Sequence, residues 1–538
     1  MFTITSFSKY LALILLVYTA TAQGQVLNRD SFEHYISEFN KADDELYKFG
    51  DFPNEKAWTF LKTNIPFFEC PDKQLEKTYY FRWWTYRKHI RNTPEGHIIT
   101  EFLPDVSWAG KYNSIACAAA LQFMEGRWLH ATSYFEEYAR FWLKGSGAKT
   151  VRGYSFWIAN ALENYTDVHN NDALLKELYP YLEENFKSWE KDHRDSTGFF
   201  WQTDDRDGME KSISGAIAGC KTRGYRATIN SYMFAEAQSL ERLSLKLGNT
   251  SKADYYHRKS EEMRKKINNG LWDKNSSFFK VIPWGSKDMS FSDALELHGY
   301  TPWYFNIPPQ NYSSAWKYLM NDKYFYAKYG PTTAAQNHPR FAISYQGHEC
   351  QWNGPSWPFS TSITLTAMAN LLNDYNQRYV SAQDYYKLLK IYSNSHQITF
   401  ANGKKQPWID ENINPFNGDW ISRTRLKSWE QNTWSKNKGG EERGKDYNHS
   451  TFNDLIITGL VGIRVGKNNE LIVNPLVPLS EWDYYCLDNL LYKGKIITIY
   501  YDRTGKRYNK RKGYNILVNG NSVFTSTKPI NAKVPLRS

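Results

Sequence analysis

The chain has 538 residues, a formal net charge of +11 and an aromatic content of 17%, with 20 Trp and 39 Tyr. That length suits one very large domain or two to four ordinary ones. Five scattered cysteines (Cys70, Cys117, Cys220, Cys350, Cys486), without CxxC or Cys/His metal spacing, exclude a disulfide scaffold and read as packing residues.

Lys9 precedes the apolar run "YLALILLVYTATA", and Ala20-Thr21-Ala22 has the small-x-small form of a cleavage site. Residues 1–22 are therefore predicted to be a secretory signal cut before Gln23, and the protein to be exported to a periplasmic or extracellular space. No later stretch approaches the roughly 20 apolar residues of a membrane span. Residues 23–105 carry an aromatic, helical-looking run, "YYFRWWTYRKHI", assigned to the edge of the domain that follows.

From about 110 to 463 the chain reads as helix after helix. "TINSYMFAEAQSLERLSLKLG" (228–248) sets Ile229, Met233, Ala237 and Leu240 on one face, and "GNTS" joins it to a second amphipathic run. Similar pairs occur around 126–190 and 357–400. Aromatic, Gly- and Pro-rich loops at 196–227, 280–312, 326–356 and 401–448 interrupt them with no fixed period. A short-turn solenoid lacks such loops, so a closed (α/α)6 barrel with loops around one mouth is expected. After 464 the pattern has period two, predicting a small antiparallel β domain over 464–538. Its basic run "RTGKRYNKRKG" (503–513) reads as a solvated hairpin tip, since export leaves few nucleic-acid partners.

Aromatic planes stack on the C–H faces of sugar rings, so Trp and Tyr beside Asp, Asn and Gln suit a carbohydrate site. They also fill large cores. Two stretches sharpen the choice. In "GFFWQTDDRDGMEKS" (198–212), Glu210 follows Gly208 among Asp204, Asp205 and Asp207. Like charges and nearby aromatics such as Trp201 and Phe200 favour a carboxyl that keeps its proton. In "PWIDENINPFNGDW" (407–420), Glu411 and its neighbour Asp410 sit between Trp408 and Trp420. Two carboxyls on different loops of one mouth can flank a glycosidic bond, one donating a proton and one activating water. Asp207 competes with Glu210, and Asp410 with Glu411.

Motif order and content resemble the six-hairpin glycosidases related to glycoside hydrolase family 63 and the mannosylglycerate hydrolases. Gly208-Met209-Glu210-Lys211-Ser212 is similar to the general-acid segment of that clan, with Glu where Asp is usual. Trp352-Asn353-Gly354-Pro355-Ser356-Trp357 resembles its Trp-x-Gly-Pro-x-Trp segment. Glu411 to Gly418 resembles its general-base segment, and "FLPDVSW" (102–108) more loosely its substrate loop. The resemblance implies an inverting hydrolase of an α-linked sugar, with Glu210 as acid and Glu411 as base. Substrate contacts are then expected from Asp105, Trp108, Gly208, Arg226, Trp352, Gly354, Trp357, Trp408 and His449. No nucleotide, metal or other cofactor is implied; the expected partner is an oligosaccharide or polysaccharide-derived glycan. A glycoside phosphorylase, a polysaccharide lyase and a non-catalytic glycan-binding protein remain the alternatives.

Overall fold

A computed structural model describes residues 25–47, 51–215, 222–286, 288–345, 350–400, 402–424, 442–466 and 469–536. The expected signal segment and Cys220 lie outside the described residues.

Helices α1 (Glu33–Ala42) and α2 (Ala57–Asn64) pack on α3 (Lys73–Lys88), which is N-capped by Asp72 accepting from the Leu75 amide at 3.1 Å. Five helical hairpins follow. They are α4 (Ala116–Gly126) with α5 (Ser133–Leu143), α6 (Ile158–His169) with α7 (Asp172–His193), and α8 (Ala227–Lys246) with α9 (Thr250–Gly270). The fourth pairs the short α10 (Thr301–Tyr304) with a 3-10 helix (Gln310–Tyr318), and the fifth pairs α11 (Pro358–Asp374) with α12 (Ala382–Ser395). Burial separates inner from outer members. Fifteen of the twenty α8 residues are buried, whereas α9 buries five of twenty-one along one stripe.

The ring is closed by partners far apart in sequence. A π-helical segment (Leu455–Leu460) takes the sixth inner place and α3 the sixth outer place. Arg82 of α3 donates to the Ser450 carbonyl at 2.6 Å and to the Tyr392 hydroxyl of α12 at 3.1 Å. Glu125 of α4 accepts from the Asn453 and Asp454 amides, both at 2.9 Å, and Arg127 pairs with Asp454 at 2.7 Å. The aromatic run expected at the edge is thus an integral wall of the barrel. Tyr79, Tyr80 and Trp83 are fully buried because neighbours cover α3 on several sides.

Seven C-terminal strands follow: β2 (Ile463–Val465), β3 (Glu470–Val473), β4 (Tyr484–Tyr492), β5 (Lys495–Asp502), β6 (Gly513–Val518), β7 (Asn521–Ser526) and β8 (Ala532–Pro535). A five-stranded antiparallel sheet runs β1-β4-β5-β6-β7, where β1 (Phe67–Glu69) comes from the N-terminal region, paired Phe67 to Asp488. A second sheet runs β2-β3-β8. The Lys493 amide donates to Val168 at the end of α6, tying sheet to barrel at 2.6 Å.

The long loops gather at the mouth where the inner helices begin. Main-chain bonds stitch them: Trp352 N–H to Glu210 O (3.1 Å), Ser155 N–H to Arg206 O (2.9 Å), Ile413 N–H to Ser356 O (2.9 Å) and Asn448 N–H to Glu101 O (3.1 Å).

Candidate active site

These loops enclose a cavity of about 300 Å³. Glu210 and Glu411, 201 positions apart in the chain, both line it, and so does a third carboxyl, Glu101. The size fits a sugar-sized ligand.

Glu210 is carried by tight turns. Gly208 has φ +73° and Lys211 φ +59°, both left-handed, and the Met209 amide closes a turn on Asp204 O at 2.8 Å. A Cβ on Gly208 would sit 2.6 Å from Cys117 Sγ, so glycine is required for space as well as for conformation. Glu210 is partly exposed as a residue where it lines the cavity, yet its carboxyl is pushed up to about 8. Burial is the main cause. Its own backbone amide acts in the opposite direction, and the charge of Glu411, then Asp205 and Asp204, adds to the rise. The acidic crowding seen in the sequence is therefore a minor contributor. Asp207 lies off the cavity lining: its carboxylate accepts from Ser155 Oγ at 2.6 Å and from Thr228 Oγ1, bracing the loop against the start of α8.

Glu411 is buried, 1% exposed, and meets Arg443 Nη2 at 3.1 Å in a buried ion pair. The Cys350 thiol donates to its other oxygen at 3.4 Å. Arg443 itself lies over Trp108 (4.9 Å) and Phe102 (5.4 Å). Asp410 is also buried, but it lies off the cavity lining and its Oδ1 accepts from the Glu411 amide at 2.8 Å, fixing the turn.

The remaining expected contacts divide. Trp108, Gly208, Trp352, Trp357 and His449 line the cavity. Trp352 and Trp357 stack at 4.5 Å and 18°, with the Trp357 indole N–H on Gln351 O. Both His449 ring nitrogens are buried with no hydrogen-bond partner among the described residues, and burial, helped by Arg82, holds the imidazole well below its usual range, hence neutral. Asp105, Arg226, Gly354 and Trp408 are not in the lining. Asp105 points to solvent and meets Arg91 at 3.1 Å. Arg226 is fully buried, and its charge acts on Glu296. Gly354 is needed for packing, since a Cβ would meet the Ala342 carbonyl at 2.2 Å. Trp408 lies under Arg423, 5.2 Å away.

Sequence reasoning missed Glu101, Tyr154, Arg443 and Tyr447 as cavity residues. Glu101 is buried and pushed up to about 8, chiefly by burial, with Glu411 adding to the rise; the Tyr447 hydroxyl donates to it. Arg443, Tyr447 and His449 come from one short run, "RGKDYNH", which the resemblance marked only as a departure.

Two groups of known proteins match. Residues 111–450 match the mannosylglycerate hydrolase MGH1-like glycoside hydrolase domain, and residues 463–524 the C-terminal domain of glycosyl hydrolase family 65. A solved structure named "Sialidase" is 37% identical, with a TM-score of 0.86, covering 94% of this chain and 45% of that one. This chain thus spans less than half of that protein. A GH78 family rhamnosidase of Bacillus sp. GL1 shares the fold at 13% identity and a TM-score of 0.52, over 81% of this chain and 40% of that one. With loops, cavity carboxyls and barrel in place, the chain belongs to the mannosylglycerate hydrolase MGH1-like glycoside hydrolase family.

Proposed function

We propose that the protein is an exported hydrolase that removes a terminal α-linked sugar with inversion of the anomeric centre. One observation carries this reading: two carboxyls on separate loops meet in one cavity in opposite electrostatic settings. Glu210 is pushed up to about 8 and holds a proton at neutral pH, while Glu411 is paired with a guanidinium. Such a division suits an acid and a base. Glu210 gives its proton to the glycosidic oxygen as the C–O bond breaks. Glu411 takes a proton from the water that bonds to the anomeric carbon on the opposite face. The free sugar and the alcohol leave, Glu411 gives up its proton to solvent and Glu210 takes one back, which restores both carboxyls.

The cavity walls support a single sugar ring in a pocket, with the Trp352–Trp357 stack as a platform. Among the described lining residues the one cation, Arg443, is committed to Glu411, and three carboxyls surround the space. This favours an uncharged sugar over an acidic one, whatever the name of the longer relative. Export is proposed from the apolar run after Lys9 and the Ala20-Thr21-Ala22 pattern. The test is a panel of neutral and acidic α- and β-glycosides in phosphate-free buffer, with the first-formed anomer read by NMR. Release of a β-anomer from a neutral α-glycoside is expected. Release of an α-anomer, or turnover only with added phosphate, overturns the reading.

A further inference from the structure

The densest run of positive charge in the chain takes no part in the catalytic cavity. Residues 503–512 connect β5 to β6 and hold six cations in ten positions. Arg503 is paired with Asp483 at 2.7 Å and Arg507 with Glu69. Lys506, Lys510, Arg511 and Lys512 are exposed, and none has an ion-pair partner among the described residues.

This tip is built rather than loose. The Asp502 carboxylate accepts four main-chain N–H groups, from Thr504 (3.1 Å) and Gly505 (2.8 Å) on one oxygen and from Arg507 (2.8 Å) and Tyr508 (3.1 Å) on the other. The Tyr500 hydroxyl and the Asn515 amide both donate to the Arg511 carbonyl, at 3.2 and 3.1 Å. Tyr508 packs edge-on against Tyr484 and Tyr500. A backbone pinned in this way keeps like charges together against their mutual repulsion, and the resulting potential attracts polyanions. Beside the tip runs a groove of about 630 Å³, lined by Arg503, Arg511 and Lys512 on one side and by Thr525, Ser526 and Thr527 on the other. That second side follows β7, the edge strand of the sheet.

The groove is remote from the chemistry. Arg507 holds Glu69 just before the start of α3, whereas Lys88 at the other end of α3 meets Asp446, next to Tyr447 of the cavity, at 2.5 Å. Sixteen helical residues, about 24 Å, separate the two ends.

We propose that this hairpin face is a docking site for an anionic polysaccharide carrying repeated carboxylate or sulfate groups. Cations on one wall and hydroxyls on the other match a chain that alternates acidic groups with sugar hydroxyls. The described lining residues include no aromatic ring on which a nucleic-acid base would stack and no apolar side chain to enter a bilayer. The site is independent of the roles of Glu210 and Glu411.

The test uses the full mature chain, a hairpin variant (K506E/K510E/R511E/K512E) and a charge-matched control (K56E/K176E/K187E/K265E) that reverses four exposed lysines elsewhere. Each is run over immobilised polygalacturonate, chondroitin sulfate and dextran, and mixed with anionic phosphatidylserine vesicles and with DNA. Wild type and control are expected to be retained by an acidic polysaccharide, in a salt-sensitive manner, and not by dextran. The hairpin variant is expected to lose retention by at least about tenfold with an unchanged melting temperature. Equal loss in both variants, equal retention in all three proteins, no retention of wild type, or retention by vesicles or DNA alone overturns the proposal.

Discussion

Replacing Glu210 by Gln tests the catalytic reading most directly. With its pKa at about 8, the carboxyl is protonated in roughly ten of eleven molecules at pH 7; at the ordinary value of 4.5 it would be so in roughly one in 300. The upward shift, mainly from burial, thus raises the acid-competent fraction by about 300-fold. Wild-type kcat/KM against pH is expected to fall on an alkaline limb near pH 8. The Gln variant, unable to give a proton, should lose about 10²–10⁴-fold on an alkyl glycoside and show no such limb. On an aryl glycoside whose phenolate leaves without protonation the loss should be much smaller. Asp207→Asn, which alters only the bracing of the loop, should keep the limb near pH 8. A Glu210→Gln enzyme with the same limb and near-normal turnover of alkyl glycosides would refute the assignment. Transfer of the limb to the Asp207 variant would move the acid to the neighbouring residue.

Removing Arg443 as Met leaves Glu411 buried without its guanidinium and should cost about 3–5 kcal/mol of stability by denaturant melting. Adding Glu411→Gln to that variant should restore most of the stability but none of the activity; a double variant no more stable than the single one contradicts the pairing. Gly208→Ala forces a left-handed backbone on a residue with a Cβ, a cost of about 1–2 kcal/mol, and meets Cys117 Sγ. Turnover should fall more than about tenfold through a displaced Glu210, with partial recovery in Gly208→Ala/Cys117→Ala. Folded stability is expected to fall between pH 5 and pH 8.5. Glu101, Glu210 and the buried Glu236 of α8 at about 8, with Glu125 at about 7, all bind protons more tightly when folded, so their contribution is complete below about pH 4.5 and is lost as pH rises through the folded values. In thermal melts Glu101→Gln should reduce the total loss of stability across this window by an amount on the order of a few kcal/mol; an unchanged pH dependence would argue against a protonated Glu101.

Local pattern carried much of this protein. Periodicity over 228–267 set two helices, the period-two runs after 464 set strands, and Gly208-Met209-Glu210 with Glu411 named the carboxyls, because helix faces, turns and short motifs are decided by neighbours in the chain. Three things needed the closed ring. Whether α3 was edge or wall depended on contacts with Ser450 and Tyr392, more than 300 positions away. The division of labour among the acids depended on which carboxyl the cavity reached: Asp207 and Asp410 are spent on loop hydrogen bonds, while Glu101, unremarked in sequence, is brought beside Glu411. Proton affinity followed burial more than charge crowding, and burial is a sum over atoms supplied by every loop of the mouth. Residue types and their spacing define what a segment can form; which side chains share a small volume shielded from water is fixed only when distant segments pack together.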